Sequence, residues 1–120
     1  LMNMRSRKST IWKISPDGAE EEQIAGHHEN FYRHLALSPD GTMLIYAVLR
    51  GRYLGLYIMP AAGGNSLPLA VTPDAHNEGP SWSPDGRKLA FNSTRSGFFD
   101  IWIMDLNTEQ IKKRLELINN

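Results

Sequence analysis

Two stretches of the chain, Ser38-Pro39-Asp40-Gly41 and Ser83-Pro84-Asp85-Gly86, are the same four residues set 45 positions apart. A fixed period of 20–50 residues is the signature of an array of supersecondary units, and it constrains the fold more than any single motif. The period holds without a gap. Leu44 matches Leu89, Tyr46 matches Phe91, and Arg5, Arg50 and Arg95 share one phase. So do Ile11, Leu56 and Ile101; Trp12, Tyr57 and Trp102; and Ile14, Met59 and Met104. The units are residues 1–30, 31–75 and 76–120, the first lacking one strand and most of a second. A third Ser-Pro-Asp-Gly, Ser15 to Gly18, lies 23 residues before the second and out of phase, and reads as a chance reuse of turn residues. Its place in the period belongs to Ala61-Ala62-Gly63 and Asn107-Thr108.

Each unit resolves into short strands separated by turns. Ser, Pro, Asp and Gly occupy the positions they favour in a type I turn, so the motif joins two antiparallel strands. The first strands are His34 to Leu37 and Pro80 to Trp82; the second are Met43 to Val48 and Lys88 to Asn92. Ile11 to Ile14, Leu56 to Met59 and Asp100 to Met104 form the third. The proline in Leu67-Pro68-Leu69-Ala70 cannot donate to a ladder, which places this fourth strand at a sheet edge.

Met43, Ile45 and Ala47 alternate with Leu44, Tyr46 and Val48, so the second strand is apolar on both faces and needs cover on each. Neighbouring copies supply that cover in a radial stack of small sheets. The expected fold is therefore all-β, an incomplete β-propeller of about two and two-thirds four-stranded antiparallel blades. A two-sheet β-sandwich with accidental periodicity is the weaker reading. At the C-terminus two signals compete. Phase makes residues 107–120 a fourth strand, whereas Thr108-Glu109-Gln110 followed by Ile111, Leu115 and Ile118 has the capping residues and spacing of a short helix. The period favours the strand. Such a piece of a larger propeller leaves apolar faces open at both ends, and by itself is expected to associate or unfold.

Composition excludes several functions. Thirteen basic and thirteen acidic side chains cancel, so the basic excess that phosphate-backbone binding needs is missing and nucleic acid is not an expected partner. The chain has no cysteine, hence no thiolate nucleophile and no cysteine zinc site. No apolar run reaches the roughly 18 residues of a membrane span. Leu-Met-Asn-Met-Arg-Ser-Arg-Lys at the start is followed by no apolar stretch and does not read as a secretory signal.

The segment from Gly79 to Leu106, Gly-Pro-Ser-Trp-Ser-Pro-Asp-Gly-Arg-Lys-Leu-Ala-Phe-Asn-Ser-Thr-Arg-Ser-Gly-Phe-Phe-Asp-Ile-Trp-Ile-Met-Asp-Leu, resembles the WD-repeat-like β-propeller repeat of the TolB-like family. The match is strongest over 76–106, looser over 33–70 and partial over 1–25. In the middle unit Leu37 replaces the tryptophan before the turn, Gly55 the aspartate before the third strand, and Tyr57 its tryptophan. The resemblance implies a propeller, and a partner-binding role in the bacterial envelope as in the Tol-Pal system. Similar repeats occur in propellers attached to prolyl-oligopeptidase-type serine peptidases and in metal-dependent oligogalacturonate lyases. The matched residues concern turns and packing, so the resemblance carries over no catalytic residue and no cofactor.

Among candidate functional residues, Asp40 and Asp85 have a sufficient structural role in their turns, as have Ser38, Pro39, Gly41, Ser83, Pro84 and Gly86. Arg5, Arg50 and Arg95 read as repeated inward anchors to a turn carboxylate or carbonyl, since a guanidinium suits multidentate tethering. Glu20-Glu21-Glu22 and Lys112-Lys113-Arg114 read as solvated outer edges. All four histidines fall in two segments that enter a first strand, Gly26 to His34 and Pro73 to Gly79. In a propeller, loops of one kind share one face. The expected partner-binding face, for a protein or peptide, is His27, His28, Asn30, Phe31, Tyr32, Arg33, His34, His76, Asn77 and Glu78, with Phe31, Tyr32 and Arg33 supplying hot-spot residue types. The same imidazoles with Glu29 or Glu78 suit a divalent cation chemically, but His-His-x₅-His is no recognised metal motif, and no metal is expected. Gly64-Asn65-Ser66 followed by Leu67 is not a nucleophile elbow, so any peptidase domain lies outside these residues.

Overall fold

The computed structural model of the chain describes residues 2–5, 8–25 and 31–120; side chains are described within these except at 2–5, 8–10, 13, 25 and 31. Among the described residues three antiparallel sheets follow one another in chain order. The first contains β1 (Met2–Arg5), β2 (Lys8–Ile14) and β3 (Glu21–Ala25) in that order. The second runs β4 (Phe31–Leu37), β5 (Met43–Arg50), β6 (Tyr53–Pro60) and β7 (Leu67–Ala70). The third contains β8 (Asn77–Trp82), β9 (Lys88–Ser93) and β10 (Asp100–Asp105). Pro68 lies in β7, the edge strand of its sheet, where its missing N–H breaks no inner ladder.

The second sheet is buried on both faces, as its unbroken apolar strands require. Leu44, Tyr46, Val48, Tyr57 and Met59 pack toward Ile11 and Ile24 of the first sheet. Met43, Ile45, Ala47, Leu54, Leu56 and Ile58 pack toward Leu89 and Phe91 of the third. Trp82 ties the second interface, donating its indole N–H to the carbonyl of Ala36 at 2.9 Å. The stack is an arc of a β-propeller.

The third sheet departs from the expected four strands. Residues Thr108–Ile118 form a helix, α1, in place of an outermost strand. Local chemistry overrides phase: Asn107 caps the helix, its side-chain oxygen accepting from the Gln110 N–H at 3.1 Å, and Glu109 stands in the positive first turn. Ile111 and Leu115 then drop into the core between the second and third sheets. Lys112, expected at a solvated edge, pairs with Asp40 at 2.8 Å. Asn119 closes the far end, accepting from the Asn65 N–H at 2.6 Å and donating to the Asn65 carbonyl at 3.2 Å. The helix thus crosses to the turns of the second sheet and leaves the outer edge of β10 without a fourth strand.

The outer face of the third sheet is open. Ile101 and Ile103 are 75% and 67% exposed, whereas their phase mates Leu56 and Ile58 are 0% and 1% exposed under the third sheet.

Candidate functional site

The sheets have two ends of different character. At one end lie the turns after β4, β6 and β8 and, with them, the turn after β2. All three Ser-Pro-Asp-Gly copies are here, and all three build the same circuit. In each, the serine carbonyl accepts from the glycine N–H at 2.9 Å, and glycine sits at a φ of 74° or 75°, the left-handed region that it alone enters without strain. The serine hydroxyl donates to the aspartate at 2.7, 2.7 and 2.6 Å for Ser15, Ser38 and Ser83. The out-of-phase copy at Ser15 stands at the phase of Ala61-Ala62-Gly63, joining β2 to β3. It is the same turn used between a third and a fourth strand rather than between a first and a second.

These hydrogen bonds consume the aspartates electrostatically. The ammonium of Lys112, then the hydroxyls of Ser38 and Thr42, hold the Asp40 carboxyl far below the usual carboxylate range. The Ser83 hydroxyl and the Arg87 N–H lower Asp85, and the Ser15 hydroxyl and Ala19 N–H lower Asp17. A carboxylate so stabilised in its ionised form is a poor proton carrier, and the three act as turn closures.

The opposite end gathers the starts of β4 and β8 with the β5–β6 and β9–β10 turns, and His34 and His76 belong to it. His27, His28, Glu29 and Asn30 lie outside the described residues, and of Phe31 only the backbone is described. Arg33 and His34 are exposed, and Glu78 is half-buried. His34 occupies a bulge where the β4–β5 register shifts, at a φ of 53°. Its phase mate in β8 is Gly79, at the corresponding bulge with a φ of 61°. Glycine takes this conformation freely and histidine does not, so His34 is a strained position. Its Nδ1 accepts from the Gly79 N–H at a long 3.4 Å, linking one bulge to the next.

His76 is a second link. Its Nδ1 accepts from the Leu54 N–H at 3.1 Å, which places the ring proton of this arrangement on Nε2. The ring lies 5.2 Å from that of Tyr53 and 6.4 Å from that of Phe99, in an aromatic group that the histidine pattern did not reveal. Phe98 and Phe99, both exposed, extend it outward.

Two expected face residues are corrected by their burial. Tyr32 is 6% exposed and packs edge-on against Tyr46, with ring centroids 5.2 Å apart, inside the interface of the first two sheets. Asn77 is 0% exposed; its amide donates to Thr72 and its oxygen accepts from Arg95. Strand alternation turns both side chains inward, so neither is presented to a partner. Among the described residues no three histidine, aspartate or glutamate side chains stand together in a cation-binding group.

Of the repeated arginines, Arg95 is tethered to buried side-chain oxygens and not to a turn carboxylate, Arg50 to no acceptor among the described residues, and both residues are exposed. The Arg95 guanidinium lies 4.8 Å above Trp102 and 5.3 Å from Phe91, with Nε donating to Ser93 at 3.0 Å and Nη2 to Asn77 at 2.9 Å. Arg50 lies 4.6 Å above Tyr57 in the same way. The side chain of Arg5 is outside the described residues.

No model of a known protein family matches the chain. An uncharacterized protein of Agrobacterium fabrum is 27% identical over 106 residues, which cover 88% of this chain and 35% of that protein. The Tol-Pal system protein TolB of Francisella tularensis is 28% identical over 100 residues, 81% of this chain and 22% of that protein. A solved structure from Agrobacterium tumefaciens, provisionally named TolB, superposes with a TM-score of 0.68 at 30% identity, over 82% of this chain and 34% of its own. The chain thus spans about a third or less of the length of each. Period, turn circuit, sheet stacking and these likenesses agree: the repeats of this chain are TolB-like β-propeller repeats.

Proposed function

We propose that this chain is a non-catalytic propeller module that binds a protein or peptide through the end carrying Arg33, His34, His76, Glu78, Phe98 and Phe99. The observation that carries the reading is the exposed Phe98–Phe99 pair beside a half-buried His76–Tyr53 group, with the Arg33 cation on the neighbouring sheet. Aromatic residues and arginine on a rigid scaffold are the residue types of interface hot spots. His27, His28, Asn30 and Phe31 belong to the same loop segment by sequence and complete the proposed face. The Tol-Pal name of the Francisella relative supports a protein partner and a place in the bacterial envelope.

A further sheet of the same kind is the partner proposed for Ile101 and Ile103, because their phase mates Leu56 and Ile58 are buried under a following sheet. On this reading the units 1–30, 31–75 and 76–120 are consecutive blades.

The test is site-specific photo-crosslinking in the intact protein. A crosslinker at Arg33 or Phe98 is expected to capture a discrete partner that one at Asp17 or Asp85, at the opposite end, does not capture. Equal capture from both ends would defeat the assignment. Tyr32→Ala is unsuitable as a probe because it opens the inter-sheet core.

A further inference from the structure

Arg50 and Arg95 occupy one phase of the repeat and stack on equivalent rings, yet their donors have different fates. Arg95 is tethered by the oxygens of Ser93 and Asn77. The residues at those two phases in the preceding repeat are Val48 and Tyr32, both buried in the apolar interface with the first sheet. Among the described residues no acceptor receives a hydrogen bond from the Arg50 guanidinium, and no carboxylate pairs with it. It is nevertheless held in place by Tyr57, 4.6 Å below it.

Beside Arg50 is a cleft of about 620 Å³ lined by Tyr57, Ser66, Pro68, Leu69 and Val71. Ser66 gives the wall a neutral hydroxyl dipole beside the cation. Val71 is exposed and, with Pro68 and Leu69, gives the cleft an apolar rim. The cleft therefore offers one planar five-donor cation, preorganised on an aromatic face, one hydroxyl, and an apolar shelf. A guanidinium fork matches a carboxylate in geometry and charge. A single cation is too little for a phosphate dianion, and the shelf calls for an apolar group close to the anion.

We propose that the Arg50 cleft binds a peptide carboxylate flanked by an apolar side chain, with Arg50 as the anion receptor and Pro68, Leu69 and Val71 as the seat of the side chain. The site deepens the partner-binding reading and rests on it for the source of the peptide. Short peptides test carboxylate recognition alone, so its failure is distinguishable from failure of the crosslinking experiment.

Four probes separate the sources: acetyl-Gly-Leu with a free C-terminus, the same peptide as its amide, acetyl-Asp-Leu-amide, and inorganic phosphate. Each is titrated calorimetrically into the intact protein, with arginine-labelled nuclear magnetic resonance following the Arg50 Nε–H. The expected result is saturable binding of acetyl-Gly-Leu or of acetyl-Asp-Leu-amide, with a shift of the Arg50 resonance, and none for the uncharged amide. Which of the two binds more tightly identifies a terminal or a side-chain carboxylate. Arg50→Gln is expected to weaken binding about tenfold or more, the loss that follows removal of a charged hydrogen-bond partner. Arg50→Lys retains part of the affinity, and Arg95→Gln, whose parent donors are already engaged, retains all of it. Binding of the amide as tightly as the acid, preference for phosphate, or an Arg50→Gln protein that melts normally and binds undiminished would each overturn the proposal.

Discussion

Arg95→Ala and Arg50→Ala remove the same side chain from the same phase of two successive repeats, and the structure assigns them different losses. Arg50→Ala deletes one cation–π contact, with Tyr57, and Arg95→Ala deletes two, with Trp102 and Phe91, each worth about 0.5–1 kcal/mol at an exposed position. Only Arg95→Ala also strips the oxygen of Asn77, a residue without solvent exposure, of its 2.9 Å donor. A buried polar atom deprived of its partner costs about 1–3 kcal/mol, here nearer the lower value because the departing side chain admits water. The sums are about 2–3 kcal/mol for Arg95→Ala and less than about 1 kcal/mol for Arg50→Ala. With a urea slope near 2 kcal/mol/M, the first lowers the denaturation midpoint by about 1 M and the second by less than half as much. Urea titrations of the two variants and the parent, followed by tryptophan fluorescence and by circular dichroism, measure the difference. Equal losses, or no loss from Arg95→Ala, would refute the assignment of Asn77 as the residue that makes Arg95 indispensable.

The remaining expectations concern the helix and the sheet interface. Leu115→Ala is expected to destabilise by about 2–3 kcal/mol, toward the low end for a buried leucine because an adjoining cleft of about 430 Å³ lets neighbours relax; urea denaturation checks it. Trp82→Phe removes the indole donor to the Ala36 carbonyl and should cost about 1–2 kcal/mol, with calorimetric melting as the readout. Asp40 has a depressed folded pKa, set first by Lys112, so its stabilising contribution is present above the unfolded carboxylate value of about 4 and declines as pH falls below it. The stability gap between the parent and Asp40→Asn should therefore narrow below about pH 4; a gap that is constant down to pH 2 would show that the carboxylate does not carry it.

The sheets were legible because their determinants are local and repeat: the Ser-Pro-Asp-Gly turns, the alternation in Met43 to Val48, the edge proline at position 68. Helix α1 was legible only as the weaker of two signals. Its cap residue Asn107 and its apolar Ile111 and Leu115 were in plain view, but the seat that decides the contest, between the turns of the second sheet and the core of the third, is a tertiary fact. The Ser15 turn was legible as a reuse of turn residues at the phase of Ala61-Ala62-Gly63, but phase says nothing of the hydrogen-bond circuit that those residues rebuild there. At the candidate face the sequence set His34 and His76 in segments that enter β4 and β8, yet could not tell outward from inward side chains around a bulge. Tyr32 and Asn77 were thus miscast, and Phe98, Phe99 and Tyr53 were missed because they come from hairpins that contain no histidine. The contrast between Arg50 and Arg95 was invisible for the same cause. It depends on Val48 and Tyr32 standing where Ser93 and Asn77 stand one repeat later.

The three identical turns also bear on the order of events in folding. Every hydrogen bond of the circuit closes within six residues, from Ser15 to Glu20, Ser38 to Met43 and Ser83 to Lys88. Such short loops carry little closure entropy, and hairpins form on a microsecond scale when their contacts are this local. The hairpins β2–β3, β4–β5 and β8–β9 can each nucleate without waiting for the others. Stacking of the sheets, and the docking of α1 through Asn65 and Asn119, 54 positions apart, must follow as the slow, long-range step.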